Sequence, residues 1–182
     1  VTVGDLVYVR NQHNQWSLTQ IPQVEAALVD LNPNNGAIEA LVGGFDFQKS
    51  KFNRATQSER QPGSSFKPFI YAAALNKGYT LATLVNDAPI VVDDPSQANL
   101  WRPHNDNLTF NGPTRLKDAL VHSRNLVSIR VLDDIGFDYA IDFISHFGFR
   151  KSSLPKALSL ALGSLSVSPM DLTTAYAVFA NG

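Results

Sequence analysis

The order of patterns along the chain predicts an α+β fold. Three observations carry this expectation. Residues 1–43 alternate in strand fashion, a helical segment follows position 63, and several apolar runs at helical spacing fill the later part of the chain. Strands grouped first and helices grouped later point to an α+β domain, not to alternating βαβ units.

Taken in order, "DLVYVR" and "WSLTQI" flank the polar turn "NQHNQ", so residues 1–22 read as a hairpin. Next, "VEAALVDL" and "AIEALVGG" flank "NPNNG" and make a second hairpin over 23–43; the Asn-Gly pair suits a turn with positive φ. The first strand of this pair is nearly all apolar, which predicts a place in the middle of a sheet. Residues 44–62, polar and rich in Lys, Arg and Gln, read as a loop. Residues 79–114 are crowded with turn formers and read as a long loop with one short strand at Ile90-Val91-Val92. Helices are expected at 115–121, 124–135, 138–147 and 168–180, the last with Ser168 as cap, Pro169 in the first position and Asp171 in the first turn. No internal repeat is visible. The chain opens inside an expected strand and closes on a helix stop, so it reads as a piece of a longer protein.

Composition narrows the function. The 182 residues, 44% hydrophobic and 17% charged, are enough for one substantial core. A formal net charge of −1 without any long basic run argues against a nucleic-acid binder. The absence of cysteine excludes disulfides and thiolate metal sites, and the four histidines are scattered without ligand-like spacing, so neither metal nor cofactor is expected. No apolar run approaches the roughly 20 residues that span a bilayer, and nothing reads as a signal peptide.

The stretch "QPGSSFKPFIYAAALNKGY", residues 61–79, carries the first chemistry. Phe66, Ile70, Tyr71, Ala74 and Leu75 recur at helical spacing, Gly63 allows a tight entry, Pro68 is tolerated in the first turn, and Asn76-Lys77-Gly78 reads as a stop. At about 100° per residue, Ser64 and Lys67 lie roughly 60° apart on one face, while Ser65 and Lys67 are about 160° apart. Only Ser64 can therefore offer its hydroxyl to the Lys67 amine, and the amides and dipole of a helix N-terminus favour a developing anion. A lysine acts as a base only when neutral, which requires burial or a nearby cation. Ser64 is the candidate nucleophile, Lys67 its base, and Ser65 is expected to be structural. Taken alone the spacing favours a plainer reading, in which Ser64 caps the helix and Lys67 faces solvent.

The second element is "LKDALVHSRNLVSIRVL", which places Ser123-Arg124-Asn125 between two helical segments, where a hydroxyl and an amide are presented from a rigid base. Ser-x-x-Lys followed by Ser-x-Asn is the motif pair of β-lactamases and penicillin-binding proteins. The resemblance extends further: "LVGGFDFQKSKFNRATQSERQPGSSFKPFIYAAALNKGYT", "HSRNLVSIRVLDDIGFDYAIDFISHFGF" and "LSLALGSLSVSPMDLTTAYAVFANG" resemble the class A, bifunctional penicillin-binding proteins of the 1a type over about residues 23–182. Residues 1–22 resemble the end of the small OB-like domain of that subgroup, and 23–182 the N-terminal portion of its transpeptidase domain.

That resemblance implies a penicillin-binding, β-lactamase-like serine transpeptidase fold, incomplete at its C-terminus. It implies that Ser64 attacks the D-Ala-D-Ala carbonyl of a peptidoglycan stem peptide and that an amine of a second stem peptide takes the acyl group, forming a 4,3 cross-link. Lys67 would accept the serine proton, Ser123 would relay a proton to the leaving amine, and Asn125 would bind the substrate's peptide carbonyl and orient Lys67. The Ser64 amide would be one oxyanion donor, and β-lactams would acylate the same serine. The implied location is the periplasmic face of the bacterial inner membrane, with the membrane anchor and a glycosyltransferase domain outside this chain. Arg124 is expected to be solvated or salt-bridged, Trp101 and His104 to pack their loop instead of lining the cleft, and Gly163 to mark a tight backbone approach.

One motif of the family is missing. No Lys-Thr-Gly or Lys-Ser-Gly occurs in these residues; in the family it lies on a later strand that supplies the second oxyanion amide and the carboxylate-binding cation. A further segment or a second chain would have to carry it, and this chain alone would hold about half a site. Two rivals share the motifs. A class A β-lactamase needs a glutamate after the second motif, whereas the last glutamate here is Glu59. A penicillin-recognising sensor domain shares the serine and lysine, but the "LVGGFDF" and "KFNRA" blocks match the synthase better.

Overall fold

The computed structural model describes residues 1–92 and 100–182, and the strands do precede the helices. β1 (Tyr8–Gln12) and β2 (Gln15–Thr19) form the first hairpin. Its turn is tighter than the polar stretch suggested: only His13 and Asn14 separate the strands, with φ of 51° and 62°. Paired positive φ values match the right-handed twist of the flanking strands, and asparagine tolerates them well. None of residues 1–20 is buried.

β3 (Leu28–Leu31) and β4 (Ile38–Val42) form the second hairpin, with a register shift between Asp30 and Leu31. The expected mid-sheet place for β3 is not found. Among the described residues its sheet has two strands, and helix α5 (Pro169–Asn181) packs against β3. An apolar run reports that side chains are covered, not that the backbone is paired on both edges, so the sequence pattern alone does not place a strand mid-sheet.

The reading of 79–114 as loop is also corrected. β5 (Leu84–Asp87) pairs antiparallel with β6 (Gly112–Arg115), Leu84 opposite Arg115 and Asp87 opposite Gly112. Asn86, Asp87, Gly112 and Pro113 are turn formers, and partners so far apart in sequence leave no local signature. The strand expected at 90–92 reduces to a single bridge between Val92 and Trp101. Residues 93–99 of that loop lie outside the described residues.

The helices fall close to where periodicity put them: α1 (Lys67–Asn76), preceded by a 3-10 turn at Gly63–Phe66, then α2 (Leu116–Val121), α3 (Asn125–Ile135), α4 (Phe137–Ser145) and α5. Short 3-10 turns at Lys151–Ser153 and Leu158–Leu162 carried no signal strong enough to predict them. At the start of α5, Ser168 Oγ accepts from the Asp171 amide (3.1 Å) and donates to its carboxylate (2.8 Å), as the cap pattern implied.

α3 is the central helix. Leu126, Val127, Ser128, Ile129, Val131, Leu132 and Ile135 are all buried, and the helix packs against α1, α4, β5 and the 158–162 turn. α1 contributes Phe69, Ile70, Ala73 and Ala74 to the same core, and the turn before it contributes Phe66. Phe69 stands amid Phe66, Phe147, Phe149, Tyr176 and Phe179, with ring centroids 5.1–5.4 Å away, and so ties α1 to α5. No helix among the described residues is long and apolar enough to cross a membrane.

The chain ahead of α1 is clamped against residues 163–167. Arg60 and Val167 exchange main-chain hydrogen bonds (3.0 and 3.1 Å), and the Gly63 amide donates to Gly163 O (3.4 Å). Gly163, at φ 73°, faces Gly63, at φ 59°. A Cβ on Gly163 would lie 2.7 Å from Gly63 N and overlap its carbonyl oxygen. Gly163→Ala is therefore expected to cost about 3 kcal/mol, from the positive φ plus the overlap, as a drop in the denaturant midpoint. An unchanged midpoint would show that the two segments separate freely.

Candidate active site

Ser64 lies in the 3-10 turn ahead of α1 and is exposed, whereas Lys67, the first residue of α1, is 1% exposed. Ser65 serves the turn itself: its Oγ donates to Pro62 O (2.6 Å), and its carbonyl accepts from the Tyr176 hydroxyl (2.6 Å). That is the structural part expected of it.

The Lys67 side chain runs to the other motif. Its Nζ donates to Ser123 O (2.7 Å), Ser123 Oγ (2.9 Å) and Asn125 Oδ1 (2.6 Å). An ammonium has three N–H donors and no lone pair, so three converging acceptors satisfy it fully. Helix geometry had paired Lys67 with Ser64, yet no hydrogen bond joins the two among the described residues; the acceptors on the second motif hold the amine instead. No carboxylate pairs with Lys67 there either. Burial without a counter-charge lowers its pKa from the usual 10.5 to about 8.

Ser123 owes its position to the end of α2. Its amide donates to Leu120 O (3.0 Å) and the Arg124 amide donates to Ala119 O (2.8 Å), the paired bonds of a Schellman turn. The left-handed position of such a turn usually holds glycine, but here it holds Ser123, at φ 52°. A side chain in that conformation costs about 1 kcal/mol relative to glycine. Ser123 does not cap α3. The Asn125 and Leu126 amides donate instead to Asn105 Oδ1 (2.8 and 3.3 Å), reaching in from the 100–111 loop. Asn125 also donates through Nδ2 to His104 O (3.0 Å).

Arg124 is not solvated; only the salt-bridged half of that expectation holds. It is 4% exposed and pairs with Asp87, which is fully buried at the end of β5. Asp87, Asn105 and Arg124 form a buried polar group that the sequence did not reveal, because it joins a strand, a loop and a helix junction. Trp101 packs partly buried against the core, and His104 contributes its carbonyl; neither side chain lines the cleft. The cleft, about 440 Å³, is lined by Ser64, Ser123, Asn125, Asn105, Asn107 and His122 among others. All four candidate residues therefore gather at one place: Ser64, Ser123 and Asn125 on the cleft wall, with Lys67 buried behind them.

A family model described as the penicillin binding protein transpeptidase domain matches residues 26–182, and the chain belongs to that family. It is 53% identical over 180 residues to penicillin-binding protein 1A of Pseudomonas aeruginosa, covering 98% of this chain and 22% of that protein. It is also 49% identical to penicillin-binding protein 1A of Escherichia coli, over 98% of this chain and 21% of that one. The crystal structure of penicillin-binding protein 1A from Haemophilus influenzae is similar with a TM-score of 0.92 at 47% identity, covering all of this chain and 27% of that one. PonA1 of Mycobacterium tuberculosis in complex with penicillin V is similar with a TM-score of 0.73 at 27% identity, over 85% of this chain and 43% of that one. The chain thus spans about a fifth of the length of the curated relatives it matches.

The Lys67 amine should titrate near pH 8 in a side-chain NMR experiment on labelled lysine. Between about pH 8 and 10.5 the unfolded chain holds a proton that folded Lys67 has released, so this group makes the fold more stable as pH rises through that window. Ser123→Ala removes one acceptor of the ammonium and should lower the midpoint further; a midpoint near 10.5 in the wild type would contradict the burial argument.

Proposed function

We propose that residues 23–182 belong to the transpeptidase domain of a class A penicillin-binding protein that cross-links peptidoglycan through a serine acyl-enzyme. Residues 1–22 would then belong to the small β domain before it. The observation that supports this reading best is the three-bond seat of Lys67, which joins the Ser-x-x-Lys turn to the Ser-x-Asn turn beside an open cleft.

On this reading the neutral amine of Lys67 takes the proton from Ser64 Oγ as the oxygen attacks the carbonyl between the two D-Ala residues of a stem peptide. A buried lysine with a pKa of about 8 has an appreciable neutral fraction at neutral pH, and losing its proton frees a lone pair at the cost of one of its three bonds. The oxyanion forms at the start of α1, where the Ser64 amide and the helix dipole favour negative charge without reorganisation. As the tetrahedral adduct collapses, the C–N bond breaks, and the proton passes from Lys67 through Ser123 Oγ to the departing D-Ala nitrogen. An amine of a second stem peptide then attacks the acyl-enzyme, its proton returns through the same pair, and Ser64 is released. Asn125 keeps Lys67 in place through Oδ1 and offers its remaining N–H to the substrate backbone. β-Lactams would form the same ester at Ser64.

The strand bearing Lys-Thr-Gly, supplied by a further segment or a second chain, would complete the oxyanion site and bind the substrate carboxylate. The whole protein would also carry a glycosyltransferase domain and a membrane anchor, and would work at the periplasmic face of the inner membrane. A class A β-lactamase would need a glutamate after the second motif to activate a deacylating water, and within these 182 residues none follows Glu59.

Incubating the full-length protein with a fluorescent penicillin, then locating the adduct by peptide mass spectrometry, tests the reading. Label is expected on Ser64, lost in Ser64→Ala and retained in Ser65→Ala; label that survives Ser64→Ala would sink the assignment. The acylation rate should climb with pH through about 8 and level off above it, as Lys67 loses its proton. Lys67→Arg, which cannot act as a base, should slow acylation by about 10²–10⁴.

A further inference from the structure

The cleft-lining side chains are supported by a buried polar group in which Asp87 and Asn105, outside both motifs, meet Arg124, the middle residue of the second. Asp87 is fully buried, Asn105 is 2% exposed and Arg124 4% exposed. Asp87 Oδ2 accepts from Arg124 Nε (2.8 Å) and the Asn111 amide (3.0 Å) and forms an ion pair with Arg124 Nη2 (2.5 Å), while Oδ1 accepts from Asn105 Nδ2 (2.8 Å). The remaining guanidinium bonds go to Asn107 Oδ1 (3.1 Å) and Thr109 O (2.5 Å). Asn105 in turn caps the first amides of α3 with Oδ1. One carboxylate therefore fixes both the residue between Ser123 and Asn125 and the cap of the helix that starts there.

The geometry of Lys67 depends on the same junction. Two of its acceptors lie on the residue before Arg124 and one on the residue after it. Ser123 is held at φ 52°, and the Schellman bond that keeps it there is donated by the Arg124 amide. Releasing the Arg124 side chain frees the peptide units on both sides, and with them the seat of the amine.

We infer that Asp87 is a positioning residue for the acyl transfer proposed above: through Arg124 and Asn105 it holds Ser123 and Asn125 where the Lys67 amine needs them. The inference rests on that acyl-transfer reading. A buried ion pair is a poor source of stability but leaves an expensive orphan when one partner goes, so Asp87 acts by fixing geometry more than by adding net stability. Asn107, which lines the cleft and accepts from the guanidinium, extends the same hold to the cleft wall.

The test uses the full-length protein and measures penicillin acylation by stopped flow, separating the noncovalent dissociation constant K from the acylation rate constant k2. Asp87→Asn and Arg124→Gln are each expected to lower k2 roughly 10²-fold with K little changed, because misplaced proton-transfer groups slow the chemical step and not the docking. The double variant should fall no further than either single one, since the pair acts as a unit. Arg124→Lys keeps a cation against Asp87 and so holds the fold should Asp87→Asn not fold; it gives up the forked bonds and should lower k2 about tenfold. An unchanged k2 in Asp87→Asn or Arg124→Lys, a weakened K alone, or losses that multiply in the double variant would each overturn the inference. A wild type that takes no label overturns the acyl-transfer reading and this inference with it. A labelled wild type with an equally fast Asp87→Asn overturns this inference alone.

Discussion

The buried amine of Lys67 is the constraint on which the rest of the site depends. An ammonium out of water needs three acceptors, and two of those used here belong to a single residue, Ser123. Here one backbone conformation brings that residue's carbonyl and hydroxyl to a single point. The left-handed turn at the end of α2 provides it, and the strain there is held by the bonds of the turn and by the group behind it. With no carboxylate on the amine, the protonated form is satisfied without being strongly favoured. That balance suits a group proposed to lose and regain a proton.

Two helix N-termini meet at this point, and each is set by something outside its own helix. α1 begins where Gly63 presses on Gly163, a contact that allows no side chain on Gly163 and so fixes the height of the Ser64 turn against residues 163–167. α3 begins under the Asn105 amide, which replaces the local cap that Arg124 does not provide. The hydrophobic core then locks the helices together, with α3 buried along most of its length and Phe69 linking α1 to α5. The exposed serine therefore rides on a rigid base, while the lysine behind it stays dry.

This arrangement also explains why the cleft is polar although the core beneath it is apolar. Asp87, Asn105, Arg124, Ser123 and Asn125 form a layer in which each polar atom finds a partner, separating the cleft from Leu126, Ile129 and their neighbours. Such a layer tolerates little loosening, because a buried polar group that loses its partner costs more than the bond contributed.

Much of this was legible in the sequence. Both hairpins, the five main helices, the Ser168 cap and the close approach at Gly163 follow from local periodicity, turn chemistry and the conformational freedom of glycine. The candidate site residues were legible too, as Ser-x-x-Lys and Ser-x-Asn spacings within blocks that resemble one family. Each of these signals is written in neighbouring residues. What the sequence left open was decided by partners far apart along the chain: the β5–β6 pairing, the helix that covers β3, the burial of Arg124 on Asp87, and the three bonds that draw Lys67 to Ser123 and Asn125. Those contacts cross dozens of residues and depend on which faces the core brings together. Spacing can nominate a serine and a lysine, but only the packed structure determines which atoms the lysine meets and how far burial lowers its pKa.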